Sequence, residues 1–504
     1  MPSDSPTILT LDAGSSSVRT LLFDARGNAI EGIGAHLKYS LDTTPDGGVH
    51  IDANRLADLC IEVLAAACEQ MRDAGIRPAA VACDTFWHSI MGVDRDNRLA
   101  TPLLHLLDTR SESAAIELRA RIDNRAQHSR TGCVLHTSYP PSKLLWLSQH
   151  EPDTFARVTR WMSIGEYLFL KVLGEPAAST SMISASGLWD QNRNNYDDEL
   201  FSALPVKREQ FPDPASMDHP LNKLCPEYRE KLAGLDGIPW YPALGDGACD
   251  NIGSGCVTPE TFALMIGTTG AMRVVSEREK VVIPEGLWCY RVDRKRALIG
   301  GAISSGGEVF AWMNQTLRLS NPMETETQIA AMAPGSHGLT VLPYLAGERS
   351  TGWRSDARAA IAGMSAATTP IDILRAGLES VALQFRNIFD IMERAIGKPQ
   401  SVIASGGALL HSPAWTCIMA DAISRPVVAC LEPEATARGA ALLALERMGV
   451  IANVRDVPPR TGDTYQPVIE HWKVYSDELE RQRALYEQLI ARHWQPEAGL
   501  RSVR

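Results

Sequence analysis

Long apolar runs are missing from this sequence. No stretch of its 504 residues approaches the roughly 18 apolar residues that a membrane helix needs, so no membrane partner is expected. Cysteine is sparse and unclustered: ten copies, at 60, 68, 83, 133, 225, 249, 256, 289, 417 and 430, form no Cys-x-x-Cys pair. That usage argues against a zinc site or a disulfide framework and for reduced thiols in a cytosol. Positive charge is not in excess, since the net charge is -11 with both signs interspersed. Nucleic acid and anionic membrane are thereby disfavoured as partners. No G-x-x-x-x-G-K-[ST] loop occurs, which argues against a P-loop enzyme. The opening "MPSDSPTILT" lacks a basic start followed by an apolar stretch, and the expectation is a cytoplasmic protein.

What is present reads as an ordinary globular chain, 45% hydrophobic and 22% charged. Its length exceeds what one core supports, so two or more domains are expected. "TILTLDAG", "SVRTLLFD" and "AIEGIGAHL" read as an antiparallel meander. "ANRLADLCIEVLAAACEQMRDAG" has helical periodicity and a stop at Gly75, and "RPAAVACDTF" reads as a buried strand. Strands alternating with long helices indicate the α/β class. The opening hairpin has a second copy midway, "FALMIGTTGAMRVVS", again strand, Gly and hydroxyl turn, strand. Two similar α/β halves joined around Pro242 to Gly255 follow. The expected division is 1–250, 251–455, and a C-terminal extension, 456–504, ending in a helix over "DELERQRALYEQLIARHW".

In "LDAGSSSVR", Gly14 opens the backbone to a ligand, and successive amides in such a turn form an anion-binding concavity. The hydroxyls of Ser15, Ser16 and Ser17 add donors. Asp12, at the strand end, would repel phosphate, a conflict that Mg²⁺ bound through water resolves. "IGTTGAMR" keeps the glycines and the hydroxyls of Thr268 and Thr269 without the carboxylate. Two such hairpins would hold the phosphates of one nucleotide between the domains. "AISSG", Ala302 to Gly306, is a degraded nucleophile elbow, read better as a turn packing on nucleotide. In "GDGACD", Asp246 on a Gly-flanked turn is a candidate general base. Asp beside Gly more often serves as a turn or N-cap residue.

In these motifs and their order the chain resembles the FGGY carbohydrate kinases of the actin, Hsp70 and hexokinase-like superfamily. The resemblance runs from "LDAGSSSVRTLLFD" through "FWHSIMGVD", "DTRS" and "TGCVLHTSYPPSKLLWLSQHE". It continues through "GDGACDNIGSGC", "IGTTGAMR", "GGAISSGG", "AIAGMSAATTPIDILRAGLES", "IASGGALLHSPAWTC" and "EATARGAALLA". One family signature departs at Gly377, where a slightly larger residue is usual. The resemblance implies two actin-like (ribonuclease H-like) α/β domains with a catalytic cleft between them, and ATP-dependent phosphorylation of a sugar or sugar-acid hydroxyl. It gives Asp246 as base, Asp12 near magnesium, and phosphate or nucleotide contacts at Gly14, Ser15, Ser16, Ser17, Arg19, Gly267, Thr268, Thr269, Gly306, Gly406 and Gly407. Asp250 has no counterpart in the family pattern and is left a structural role.

Within the family, "WHS", "DTRS" and "TGCVLHTSYPPSKL" are most similar to gluconate kinases. That similarity implies substrate contacts at Trp87, His88, Asp108, Arg110, His136 and Asp246. A sugar acid needs a cation, for which His136, Lys143 and Arg110 are candidates, although Lys143 could simply snorkel. Leu106 stands where tryptophan is common, Trp87 replaces methionine, and "CDTF" precedes it where small residues are usual. Xylulose, ribulose, glycerol or another polyol are therefore alternative substrates. An actin- or Hsp70-like ATPase and a hydrolase using Ser304 are the competing classes. A homodimer is compatible with the resemblance.

Overall fold

The computed structural model describes residues 5–215, 220–278 and 280–492. In chain order the elements that matter for the site are β1 (Ile8–Ala13), β2 (Ser17–Phe23), β3 (Ala29–Lys38), α1 (Ala53–Asp73) and β4 (Ala80–Thr85). Then come α2 (Pro140–His150), β5 (Trp240–Gly245), α3 (Asp246–Gly253), β6 (Thr261–Ile266) and β7 (Gly270–Ser276). They are followed by α4 (Pro370–Ile396), β8 (Ser401–Ser405), β9 (Val427–Cys430), α5 (Ala435–Arg447), β10 (Thr461–Tyr465) and α6 (His471–Tyr486). No helix among the described residues is long and apolar enough to cross a membrane.

The chain divides into two compact units, and both are discontinuous. Unit 1 comprises 1–258, 275–299 and 432–459; unit 2 comprises 259–274, 300–431 and 460–504. The chain thus returns to unit 1 twice, which a division into contiguous stretches does not contain. The returns are tertiary events: α5, late in sequence, packs on α3, β1 and β4, and no local composition marks that destination.

Unit 1 is built on the sheet β5-β4-β1-β2-β3. β1 pairs antiparallel with β2, β2 with β3, while β1, β4 and β5 run parallel. The expected meander is therefore present. All six residues of β1, and all six of β4, are buried, as both-sided helix cover of parallel strands requires. α1 contributes Leu56, Cys60, Leu64 and Met71 to the same core as Leu9 and Leu11. It begins where the Asp52 side chain accepts from the Asn54 amide, and it stops before Gly75 at φ +65°. The Gln70 amide ties α1 to the β3 backbone, donating to the Gly34 carbonyl at 3.2 Å and accepting from its N–H at 2.7 Å.

Unit 2 repeats the order. β6 pairs antiparallel with β7 and parallel with β8, which pairs parallel with β9. β7 stands to β6 as β2 stands to β1, and β8 and β9 take the places of β4 and β5. The turns match in exposure as well: Gly14 is half-buried with Ser15 and Ser16 exposed, and Gly267 is half-buried with Thr268 and Thr269 exposed. The departure at Gly377 has a packing reason, since a Cβ there would lie 2.4 Å from the Met313 sulfur. The terminal helix is α6, and the last two residues of its expected stretch lie outside the described residues.

Two glycines let α3 and α5 cross in contact. A Cβ on Gly253 would lie 1.7 Å from the Ala435 carbonyl oxygen, and one on Gly439 would lie 1.8 Å from that of Cys249. Arg438 locks the crossing by donating to the carbonyls of Gly27 and Gly253, at 3.1 and 2.6 Å. Helix propensity alone would make Gly439→Ala stabilising by about 1 kcal/mol. The clash with backbone reverses the sign, and overpacking of this kind typically costs about 1–3 kcal/mol. Gly439→Ala is therefore expected to lower the thermal midpoint by several degrees in scanning calorimetry; a raised midpoint contradicts the crossing.

Candidate active site

Three carboxylates gather at the C-terminal ends of the three parallel strands of unit 1, the edge at which open α/β sheets bind ligands. Asp12 is the fifth residue of β1, and its register partner on β4 is Asp84. Partners in a parallel ladder project to the same face, so these two carboxyls stand side by side. Asp246 follows β5 directly and is the first residue of α3, with Gly245 as its N-cap. The expected flexible turn at Asp246 is thus a helix start. The helix dipole there favours an ionised carboxylate, and Asp246 Oδ1 accepts from the Gly247 amide at 2.7 Å. Asp250 lies one turn further along the same helix, half-buried.

Arg19, opposite Asp12 in the β1–β2 hairpin, approaches Asp12 to 3.3 Å, donates to Ser17 Oγ at 3.2 Å, and pairs with Glu434 just before α5. Its guanidinium is engaged by two carboxylates and a hydroxyl. Three acidic side chains, Asp12, Glu434 and Asp84, therefore act on one arginine. Burial pushes the Asp12 carboxyl up to about 6, against the pull of Arg19. Asp84 is raised well above the usual range, first by burial and then by the charges of Asp12 and Asp246. Asp84 was not among the expected site residues. The signal was a carboxylate inside the apolar run "AAVACDTF", where an ionisable group is out of place unless it has work to do.

Around Asp246 lies an aromatic wall. The Trp87 indole rests against Gly245, where a Cβ would lie 1.8 Å from the ring, and its N–H donates to the Ser181 carbonyl at 3.2 Å. His88 has φ +64° and holds Nδ1 2.8 Å from the Ala185 carbonyl, which puts the proton on Nδ1 and leaves Nε2 as the ring's acceptor position. Its ring meets Tyr139 and Tyr290 edge-on at 4.9 and 5.1 Å, and those two hydroxyls are 2.6 Å apart. Neither tyrosine was expected. Tyr290 arrives in a later return of the chain to unit 1, and nothing local announces it.

The "DTRS" segment and α2 meet nearby. Asp108 is buried, accepts from the Val49 amide at 3.1 Å, and holds Arg110 through a contact of 2.7 Å. The Arg110 guanidinium stacks over Trp146 at 4.5 Å. The Asp108 carboxylate is thus spent on the Val49 amide and on Arg110. Lys143 does not snorkel. It is buried, with its ammonium donating to the carbonyls of Asp108, at 3.0 Å, and Thr137. Burial lowers its pKa to about 7. His136 Nδ1 sits 3.1 Å from Ser138 Oγ on the loop that Lys143 ties down.

Unit 2 assembles the glycine turns. The Gly306 amide donates to the Thr268 carbonyl at 3.0 Å and the Gly307 amide to that of Gly267 at 2.8 Å. Gly406, at φ +88°, sits so close that a Cβ would lie 2.4 Å from the Ile266 carbonyl. Gly267, Thr268, Thr269, Gly306 and Gly406 therefore converge, with the more exposed Gly407 next in chain. Ser304 lies among Pro343, Tyr344, Glu348 and Arg349, a lining without histidine among the described residues. A Ser–His pair of the hydrolase kind is therefore not found in that lining.

For a divalent cation, carboxylates at strand ends supply the hard oxygen donors that Mg²⁺ or Mn²⁺ takes. Asp12 and Asp246 fit on those grounds, and so does their crowding of negative charge.

Comparison with known proteins bears on the family and the fold. The chain is 26% identical over 487 residues to the gluconokinase of Bacillus subtilis, covering 93% of each chain. The crystal structure of gluconate kinase from Lactobacillus acidophilus superposes with a TM-score of 0.89 at 25% identity, covering 96% of this chain and 98% of that one. Ligand-bound xylulose kinase from the same organism gives 0.89 at 25%, covering 96% and 99%. The two-domain actin-like α/β architecture expected from sequence is thereby supported. Residues 7–253 match the N-terminal domain, and residues 262–447 the C-terminal domain, of the FGGY family of carbohydrate kinases, and the chain belongs to that family.

Proposed function

We propose that this carbohydrate kinase transfers the γ-phosphoryl group of ATP to a hydroxyl of gluconate or a closely similar sugar acid. The observation that carries the chemistry is Asp246, heading a helix at the mouth of the parallel strands beside Trp87, His88 and two further carboxylates. Kinases of this family use ATP with a divalent metal; we take the metal to be Mg²⁺, held near Asp12.

Asp246 accepts the proton of the sugar hydroxyl as its oxygen attacks the γ-phosphorus, and the bond to the bridging oxygen of ADP breaks in line. The metal's contribution is to neutralise charge on the phosphate oxygens. The turn Gly14–Ser17 and the turn Gly267–Thr269 supply amide and hydroxyl donors to the phosphates. Gly306, Gly406 and Gly407 leave backbone open to nucleotide. Arg19 holds Asp12 in place and has less guanidinium to offer phosphate than the sequence suggests. Trp87 and His88 line the sugar. Arg110, fixed by Asp108 and Trp146, is the cation best prepared to meet a sugar carboxylate. His136 lies on the separate loop just before α2, and Lys143 ties that loop to the Asp108 segment through the carbonyls of Thr137 and Asp108.

The gluconokinase relatives favour gluconate, whereas Leu106 and Trp87 depart from the pattern; xylulose belongs in the same test because a xylulose kinase matches equally well in fold. Gluconate is expected to exceed glucitol, xylulose and glycerol at least tenfold in kcat/KM. A preference for the uncharged polyols overturns the sugar-acid assignment. Asp246→Asn is expected to lower kcat by roughly 10²–10⁴-fold, the range for a lost general base, with the thermal midpoint nearly unchanged. Near-normal turnover removes Asp246 from the role.

A further inference from the structure

Asp84 is a carboxyl that no N–H or hydroxyl group among the described residues reaches. It is 0% exposed, and neither oxygen receives an N–H or hydroxyl donor. The neighbour within reach is the Asp12 carboxyl, and two carboxyls bond each other only while one keeps a proton. Asp246 adds a third charge of the same sign from the adjoining strand, and Arg19 is committed to Asp12 and Glu434. A buried acidic group left in this state either keeps a proton or takes a positive partner from outside the chain.

A contrast within the chain shows what a purely structural acidic group looks like here. In unit 2, buried Glu379 accepts from His337 at 2.9 Å, Arg375 at 2.5 Å, Tyr475 at 3.3 Å and the Gly335 amide at 3.2 Å. Its oxygens are spent. Those of Asp84 are not, and they lie on the same face of the sheet as Asp12, at the strand ends where the phosphates are placed.

We infer that Asp84 is a further carboxylate of the divalent-cation site, bridging the positions of Asp12 and Asp246 and raising the affinity of the chain for the cation. The inference rests on the proposed cation site at Asp12. Register makes it geometrically economical, because β4 lies between β1 and β5 in the sheet and Asp84, the fifth of its six residues, pairs with Asp12 on one side and Leu244 on the other. Three carboxylates also supply enough charge to hold a divalent ion ahead of the nucleotide, rather than only as a complex with it.

The test is Mn²⁺ binding by the nucleotide-free, full-length chain. Loss of the free-ion electron paramagnetic resonance signal reads binding in wild type, Asp12→Asn, Asp84→Asn and Asp84→Ser. Thermal midpoints are taken with and without Mn²⁺. Wild type is expected to bind, and both Asp84 variants to weaken Mn²⁺ at least the roughly tenfold that loss of even an outer partner costs. Without metal their midpoints should equal or exceed that of wild type, because a buried like charge has gone; Mn²⁺ should then stabilise them less. Wild-type Mn²⁺ affinity in both Asp84 variants, with Asp12→Asn weakened, overturns the role of Asp84 and leaves the Asp12 site standing. Absence of Mn²⁺ binding by wild type, or binding indifferent to Asp12, overturns the cation site itself. A lowered metal-free midpoint, or failure of both variants to fold, also contradicts the inference by making Asp84 a structural residue.

Discussion

Like charge held in a small dry space is the constraint on which unit 1 depends. Asp12, Asp84 and Asp246 arrive at one edge because three parallel strands end there, and Glu434 is brought alongside by α5. Arg19 offsets part of that charge. Nothing about folding alone requires the remainder, since apolar residues in β1 and β4 would pack without a desolvation penalty. The arrangement makes sense as a site whose positive component comes from outside the chain. On the proposed cation site the carboxylates would serve as ligands and proton acceptor in place of mutual repulsion.

The rest of unit 1 holds those groups still. Gly253 and Gly439 bring α5 against α3, so the helix that starts with Asp246 cannot slide, and Arg438 ties the crossing to the hairpin through Gly27. Trp87 packs against Gly245 and so walls the residue next to Asp246. The Asp108–Arg110–Trp146 stack and the buried Lys143 fix the loops around His136. Rigid positioning of this kind is what phosphoryl transfer asks of a protein, because the chemistry needs alignment and charge stabilisation more than covalent participation.

Much of this was legible in the sequence, for definite reasons. The hairpins over Ile8–Phe23 and Thr261–Ser276 declare themselves by short-range alternation around a Gly and hydroxyl turn, and α1 by its period and its stop at Gly75. Asp12, Asp246 and the glycine turns stand out because carboxylates and glycines at strand ends are chemically conspicuous. Residues that act through distant pairing were not legible. Asp84 gains its meaning from its register with Asp12, Tyr290 and Glu434 from the returns of the chain, and the burial of Lys143 from carbonyls outside its helix. Gly on both sides of Asp246 suggests a turn, whereas packing of α3 against α5 outweighs the low propensity of glycine and starts a helix there.

The central claim is that these groups move a phosphoryl group to a sugar acid and not to water. Its most direct measurement is the stoichiometry of products from ATP and gluconate, with phosphorylated gluconate quantified by mass spectrometry against ADP in the same sample. The account predicts one phosphorylated sugar acid per ADP, with little ADP formed when the sugar is omitted. ADP accumulating without a phosphorylated sugar, at a rate indifferent to gluconate, would contradict it.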